Sequence, residues 1–142
     1  MPLPDRPVAN VFIERQLDDS LQKIGDGLGG DVLTFCGQIT AGSDLQIRDA
    51  LEGIKPPRKR RLGFILDTPG GYIEVAERIA DTLRRHHRYV EFIIPDAAMS
   101  AGTVLVMSGD RIHMNQDQRC MLSLRAEQSR WPFTAMCCCL LS

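Results

Sequence analysis

LDTPGGYIEVAERIADTLR (residues 66–84) and VEFIIPDAAMSAGTVLVMSGDRIHM (residues 90–114) are the two stretches whose alternation decides the fold. Residues 62–66 form a continuous apolar run, as a parallel strand covered on both faces requires. Asp67-Thr68-Pro69-Gly70-Gly71 is a tight turn, after which Ile73, Val75, Ala76, Ile79, Ala80 and Leu83 recur at helical spacing. Residues 90–94 repeat the strand pattern. The small residues of 95–102 lead into an apolar helix over 103–107, Ser108-Gly109-Asp110 breaks it, and 111–114 reads as a short final strand.

Working outward, residues 31–36 (DVLTFC) read as a buried strand closed by Gly37. Ser43 with Gln46 three residues on has the pattern of a capping box, opening a helix with Leu45, Ile47, Leu51 and Ile54 as its apolar positions. The segment 55–57 stops that helix. Residues 11–24 place Ile13, Leu17, Leu21 and Ile24 on one helical face, and the glycines of 25–30 are expected to end this helix. The order β-α-β-α-β-α-β predicts an α/β protein with a parallel sheet and right-handed crossovers.

The chain has 142 residues, a formal net charge of -1, 44% hydrophobic and 25% charged residues. These values fit one globular domain and exclude collagen-like, disordered and membrane-spanning chains. Near-neutral charge argues against nucleic acid or an anionic membrane as a bulk partner. The basic run Arg58-Lys59-Arg60-Arg61 reads as a solvated loop in preference to a nucleic-acid patch or targeting signal. Arg84, Arg85, His86 and His87 fall at a helix C-terminus, where cations complement the dipole, and are read as capping surface. The N-terminus lacks the basic start and apolar segment of a secretory signal, so a cytoplasmic location is expected. Five cysteines, three of them at 137–139, do not match a disulfide framework or a zinc site, so no metal is expected. The apolar run 133–141 is shorter than the roughly 20 residues a membrane span needs.

In open parallel sheets functional groups gather beyond the carboxyl ends of the strands. Two segments fall there, 68–71 and 97–102. Gly70 and Gly71 permit a turn with exposed N–H groups, since glycine accepts positive φ and has no Cβ to block a ligand. Ser100, among Ala98, Ala101 and Gly102, falls where a strand hands over to a helix whose positive end faces its hydroxyl. A nucleophile beside paired N–H donors is what acyl transfer requires.

Together these motifs resemble the serine dehydrogenase proteinase family, within the Clp-protease and crotonase-like superfamily that also includes signal peptide peptidases. The resemblance covers about residues 31–114. It implies a Clp protease/crotonase-like parallel sheet of β-α-β units. It further implies that Ser100 matches the nucleophile, that the N–H groups of Gly70 and Ala101 match the oxyanion hole, and that Gly71 supports the turn. Peptidases of this superfamily work without metal, nucleotide or other cofactor in the protease subunit, and commonly form homo-oligomers. Their substrates are extended peptides or proteins, sometimes membrane proteins.

The pattern departs from the family in two places. A serine needs a base, because its hydroxyl is protonated at neutral pH, and in the peptidases this chain resembles the base is a His or Lys following the serine. Lys23, Lys55 and Lys59 all precede Ser100, and His113 is the sole histidine after it and hence the one candidate base. Where a Gly-Pro-rich continuation is expected, residues 115–142 read NQDQRCMLSLRAEQSRWPFTAMCCCLLS, with no glycine and no period. They are expected to be a divergent ending on an incomplete or truncated core. The expected organisation is a helix and Gly-rich linker over 1–30, a Clp/crotonase-like core over 31–114 and the tail over 115–142. The expected function is a serine peptidase hydrolysing peptide bonds through Ser100 and a backbone oxyanion hole, without a base at the usual place in this chain. The alternative is a non-catalytic peptide-binding or scaffold subunit that pairs with an extended peptide. A crotonase-like acyl-CoA enzyme is disfavoured by the serine itself.

Overall fold

Asp31–Cys36 (β1), Arg61–Asp67 (β2), Tyr89–Ile94 (β3) and Arg111–Met114 (β4) form one parallel sheet whose spatial order is their chain order. The helices are Val8–Leu28 (α1), Ser43–Glu52 (α2), Ile73–His86 (α3) and Ala101–Met107 (α4). The computed structural model describes residues 8–114. The expectations for the tail over 115–142, its thiols and its apolar run lie outside the described residues.

Strands added in one direction by right-handed crossovers place every connecting helix on the same face of the sheet. That face is the core. Leu62, Phe64 and Leu66 of β2 and Val90, Phe92 and Ile94 of β3 pack against Ile47 and Leu51 of α2, Ile79 and Leu83 of α3, and Leu105 and Val106 of α4. The rings of Phe64 and Phe92 meet edge to face at 5.5 Å. An ion pair from Arg78 Nε to Asp44 Oδ2 at 2.8 Å ties α3 to α2.

The opposite face is partly polar. Glu91, buried within it, accepts hydrogen bonds from Arg61 and, at 2.7 Å, joins His113 Nε2. Burial of Glu91 disfavours its ionised form, but the His113 and Arg61 hydrogen bonds outweigh that and hold its pKa below the ordinary glutamate value. The C-terminal end of α1 covers part of this face, with Leu28 over Gly63.

Two expectations about the elements are corrected, and the first helix, though ended within its glycine stretch as expected, differs in its bounds. It runs through Gly25 and Gly27 to Leu28, and Gly29, at φ 64, ends it in the left-handed conformation. Its stripe is not core: Ile13, Leu17 and Ile24 are exposed, because α1 meets the sheet only near its C-terminus. Ser43 is not the N-cap of α2. Gly42 occupies that position at φ 93, and the Ser43 hydroxyl accepts a hydrogen bond from Thr40 N–H at 3.1 Å. His87 is not surface: it is 2% exposed, and its Nε2 lies 3.0 Å from Asp31 Oδ2, fastening the end of α3 to the start of β1.

Candidate active site

The 68–72 segment extends β2 beyond the sheet and lies between two neighbours. On one side Thr68 bridges Ala98, with Thr68 N–H donating to Ala97 O at 2.9 Å and Met99 N–H to Thr68 O at 3.0 Å. On the other side Gly71 bridges Ile39, with Ile39 N–H donating to Gly70 O at 2.8 Å and Tyr72 N–H to Ile39 O at 3.0 Å. In such a parallel bridge the flanking residues make the bonds, so Gly71's own N–H is directed away from Ile39.

Gly70, at φ 106, is where the two segments touch. A Cβ there would lie 2.7 Å from both Ser100 Cβ and Met99 O, and 3.4 Å from Ala101 N. No other residue type fits this contact at this φ. A Cβ on Gly71 would fall 1.9 Å from Ile39 O. The pair of glycines is therefore required sterically, one against Ser100 and one against Ile39.

Ser100 is exposed and takes φ 54, ψ -121, the one positive φ of a non-glycine among the described residues. Such a conformation is strained by about 1–3 kcal/mol and persists only where its surroundings enforce it. Here Ser100 O accepts from Thr103 N–H at 2.9 Å, Met99 O accepts from Gly102 N–H at 2.9 Å, and the buried Thr103 hydroxyl donates to Ala98 O at 2.7 Å. A sharp strand-to-helix turn of this kind pushes a serine hydroxyl out of the backbone envelope. Among the described residues, neither the Ser100 hydroxyl nor the Ala101 N–H has a hydrogen-bond partner.

The structure brings Ser100, Ala101, Gly70 and Gly71 together but distributes the donors differently from expectation. Gly70 is buried, and its N–H donates to Thr68 Oγ1 at 3.1 Å. Gly71 is exposed, and its N–H has no partner among the described residues. The uncommitted donors flanking Ser100 are thus those of Gly71 and Ala101, and Gly70 serves as the close-contact residue. Thr68 was not singled out in the sequence, although a threonine two residues before a glycine is the pattern of a hydroxyl-closed turn.

His113 is not brought to Ser100. Its register partner is Ile93, which is paired in turn with Ile65. That level lies three strand positions, about 10 Å, short of the Thr68–Ala98 bridge, and Ser100 is further on. The imidazole is occupied at Nε2 by Glu91. His86, His87 and Lys59 lie at the opposite end of the sheet, where β2 and β3 begin. Among the described residues no cluster of three His, Cys, Asp or Glu side chains is placed to hold a metal, and no helix is long and apolar enough to cross a membrane.

Residues 43–128 match the model of a family described as ClpP-like SDH-type serine proteinases. The match includes both glycines, Ser100 and Ala101, and runs beyond Met114. Two uncharacterized proteins of Methanocaldococcus jannaschii are similar to the chain. One is 34% identical over 61 residues, 43% of this chain and 21% of its own length. The other is 32% identical over 91 residues, 61% of this chain and 31% of its own length. The chain therefore spans at most about a third of the length of these relatives. Among solved structures, a ClpP1 mutant from Listeria monocytogenes superposes with a TM-score of 0.50 at 15% identity, over 55% of this chain and 46% of that one. At that identity the likeness is one of fold.

Proposed function

The chain belongs to the ClpP-like SDH-type serine proteinases, and from that premise we propose that it is the core of a peptide-bond hydrolase with Ser100 as nucleophile. The observation that carries this is the strained backbone of the exposed Ser100, held against Gly70, with the unpaired N–H of Ala101 next to it in the chain and that of Gly71 next to Gly70. In the proposed reaction Ser100 Oγ attacks the scissile carbonyl carbon of an extended peptide, and its proton passes to a base. The carbonyl oxygen becomes an oxyanion and receives the N–H groups of Ala101 and Gly71, while Gly70 N–H stays with Thr68 Oγ1 and fixes the turn. Collapse expels the amine, which takes up a proton, and water then releases the acyl group from Ser100. One oxyanion donor contributes about 3–4 kcal/mol of transition-state stabilisation.

Of the three histidines, His113 lies level with Ile93 and His86 and His87 lie at the opposite end of the sheet, and all three lysines precede Ser100 in sequence. We assign the base to another chain of a homo-oligomer or to sequence beyond these residues, so the chain alone turns over slowly. The proposed setting is the cytoplasm. The proposed substrates are extended peptides or proteins, membrane proteins among them, and no cofactor is invoked.

A fluorophosphonate probe followed by intact-mass measurement tests this. One probe adduct, lost in Ser100→Ala and formed faster when imidazole is added as an external base, supports the proposal. A folded chain without an adduct, with or without imidazole, contradicts it. The unpartnered Ser100 hydroxyl also supports a second reading, a non-catalytic peptide-binding subunit. Peptide binding equal in the parent chain and in Ser100→Ala, with no adduct, selects that reading.

A further inference from the structure

The basic run 58–61 and the cations near the end of α3 are separate in sequence and meet at one pole of the fold. Parallel strands all begin at the same end of a sheet, and β2 and β4 begin at Arg61 and Arg111. Tyr89 N–H donates to Arg60 O at 3.1 Å, which sets Arg88 beside Arg60. Arg58 Nη1 lies 3.5 Å from His86 Nδ1, which draws the run against the end of α3. Arg58, Arg60, Arg61, Arg85, Arg88 and Arg111 are all exposed.

Few of these charges are neutralised. Arg61 is paired with Glu91, which His113 also engages. Arg60, Arg85, Arg88 and Arg111 have neither a hydrogen-bond nor an ion-pair partner for their side chains among the described residues. Like charges gathered without partners repel, and an anionic surface relieves that repulsion. The net charge of -1 hides this local excess: Glu14, Asp18 and Asp19 lie further back along α1, whereas of the acids at this pole Asp31 is engaged by His87, Asp110 by Arg84, and Asp26 lines a cavity with Lys59.

We propose that this pole docks on anionic phospholipid headgroups. An anionic leaflet attracts each Lys or Arg held near it, and a polybasic surface needs no groove to bind a charged bilayer. Single-stranded nucleic acid is disfavoured, since its binding sites stack bases on exposed aromatic rings. Among the described residues Tyr89 is half-buried with Arg61 over its ring at 5.2 Å, and the exposed aromatics Phe12 and Tyr72 belong to α1 and to the turn before α3. Ser100 lies beyond the carboxyl end of β3, at the other pole, so docking leaves the candidate active site open on the side away from the lipid.

The experiment is flotation of the full chain with phosphatidylcholine vesicles and with mixed phosphatidylglycerol–phosphatidylcholine vesicles. The chain is expected to float with the mixed vesicles alone and to be released by high salt. Each arginine removed is expected to lower partitioning about fivefold. The triple variant Arg60→Gln, Arg85→Gln, Arg88→Gln should thus lose about 100-fold, while the corresponding triple change to Lys retains binding. Circular dichroism checks that both variants fold, and the salt release of the parent chain stands independently of either. Equal flotation with neutral vesicles, salt-resistant flotation or an unaffected Gln variant overturns the proposal, pointing to the exposed apolar stripe of α1. Failure to float, whether or not the chain binds a single-stranded oligonucleotide or self-associates in low salt, overturns it equally.

Discussion

Ser100 keeps its unfavourable backbone because Gly70 leaves it room, and Gly70 keeps its place because Thr68 holds its N–H. Each link yields a prediction. Gly70→Ala puts a methyl 2.7 Å from Ser100 Cβ at φ 106. It is expected to destabilise the chain by about 1–3 kcal/mol and to reduce probe labelling of the remaining folded protein by at least about 100-fold. Melting curves and labelling rates measured on the same samples check this, and labelling that falls only in proportion to unfolding would reduce Gly70 to a structural residue. Thr68→Val leaves a buried N–H without an acceptor and should lower stability by about 1–3 kcal/mol, whereas Thr68→Ser, which keeps the oxygen, should lose much less. Glu91 supplies a pH prediction. Its folded-state pKa is held below the ordinary 4.5, so its contribution is fully present above pH 4.5 and disappears as pH falls through the lowered value. The stability gap between the parent chain and Glu91→Gln, read from urea titrations, should close as the pH falls into acid. A gap that widens in acid would contradict the network with Arg61 and His113.

Among the elements, β2, α3 and β3 were the most legible, because a strand buried by packed helices shows as a continuous apolar run and α3 repeats its buried residues at 3.6 spacing. What periodicity does not reveal is whether a partner lies opposite. The stripe of α1 has the same spacing as that of α3, yet Leu17 is 58% exposed while Ile79 is fully buried. Leu17→Glu is accordingly expected to change stability by no more than about 0.5 kcal/mol, and Phe92→Ala to cost about 3–5 kcal/mol, both measured by chemical denaturation. An α1 substitution as damaging as the Phe92 change would mean that the helix is covered. The capping box failed for a local reason: Gly42, in the left-handed conformation, took the N-cap, and the Ser43 hydroxyl turned back to Thr40. The burial of His87 was equally hidden, since its partner Asp31 is 56 residues away in sequence.

On the scale of the whole molecule, the parallel sheet separates two poles. At the carboxyl ends of β2 and β3 stand Ser100, Ala101 and the two glycines, and at the amino ends stands the arginine cluster. The meeting of the PGG turn with the AMSAG segment was legible because successive parallel strands deliver their loops to one end. Which glycine offers its N–H was not, because that depends on a side-chain hydrogen bond from within the turn. Nor was the position of His113, which register sets level with Ile93 and thus away from Ser100. We propose Ser100 as a nucleophile served by the N–H groups of Gly71 and Ala101, with no histidine brought to it among the described residues. Intact-mass measurement of fluorophosphonate labelling, with and without imidazole, tests it most directly. A single adduct is expected, slow alone, faster with imidazole and absent in Ser100→Ala. A folded chain that takes up no probe under either condition, or an adduct that survives Ser100→Ala, would contradict it.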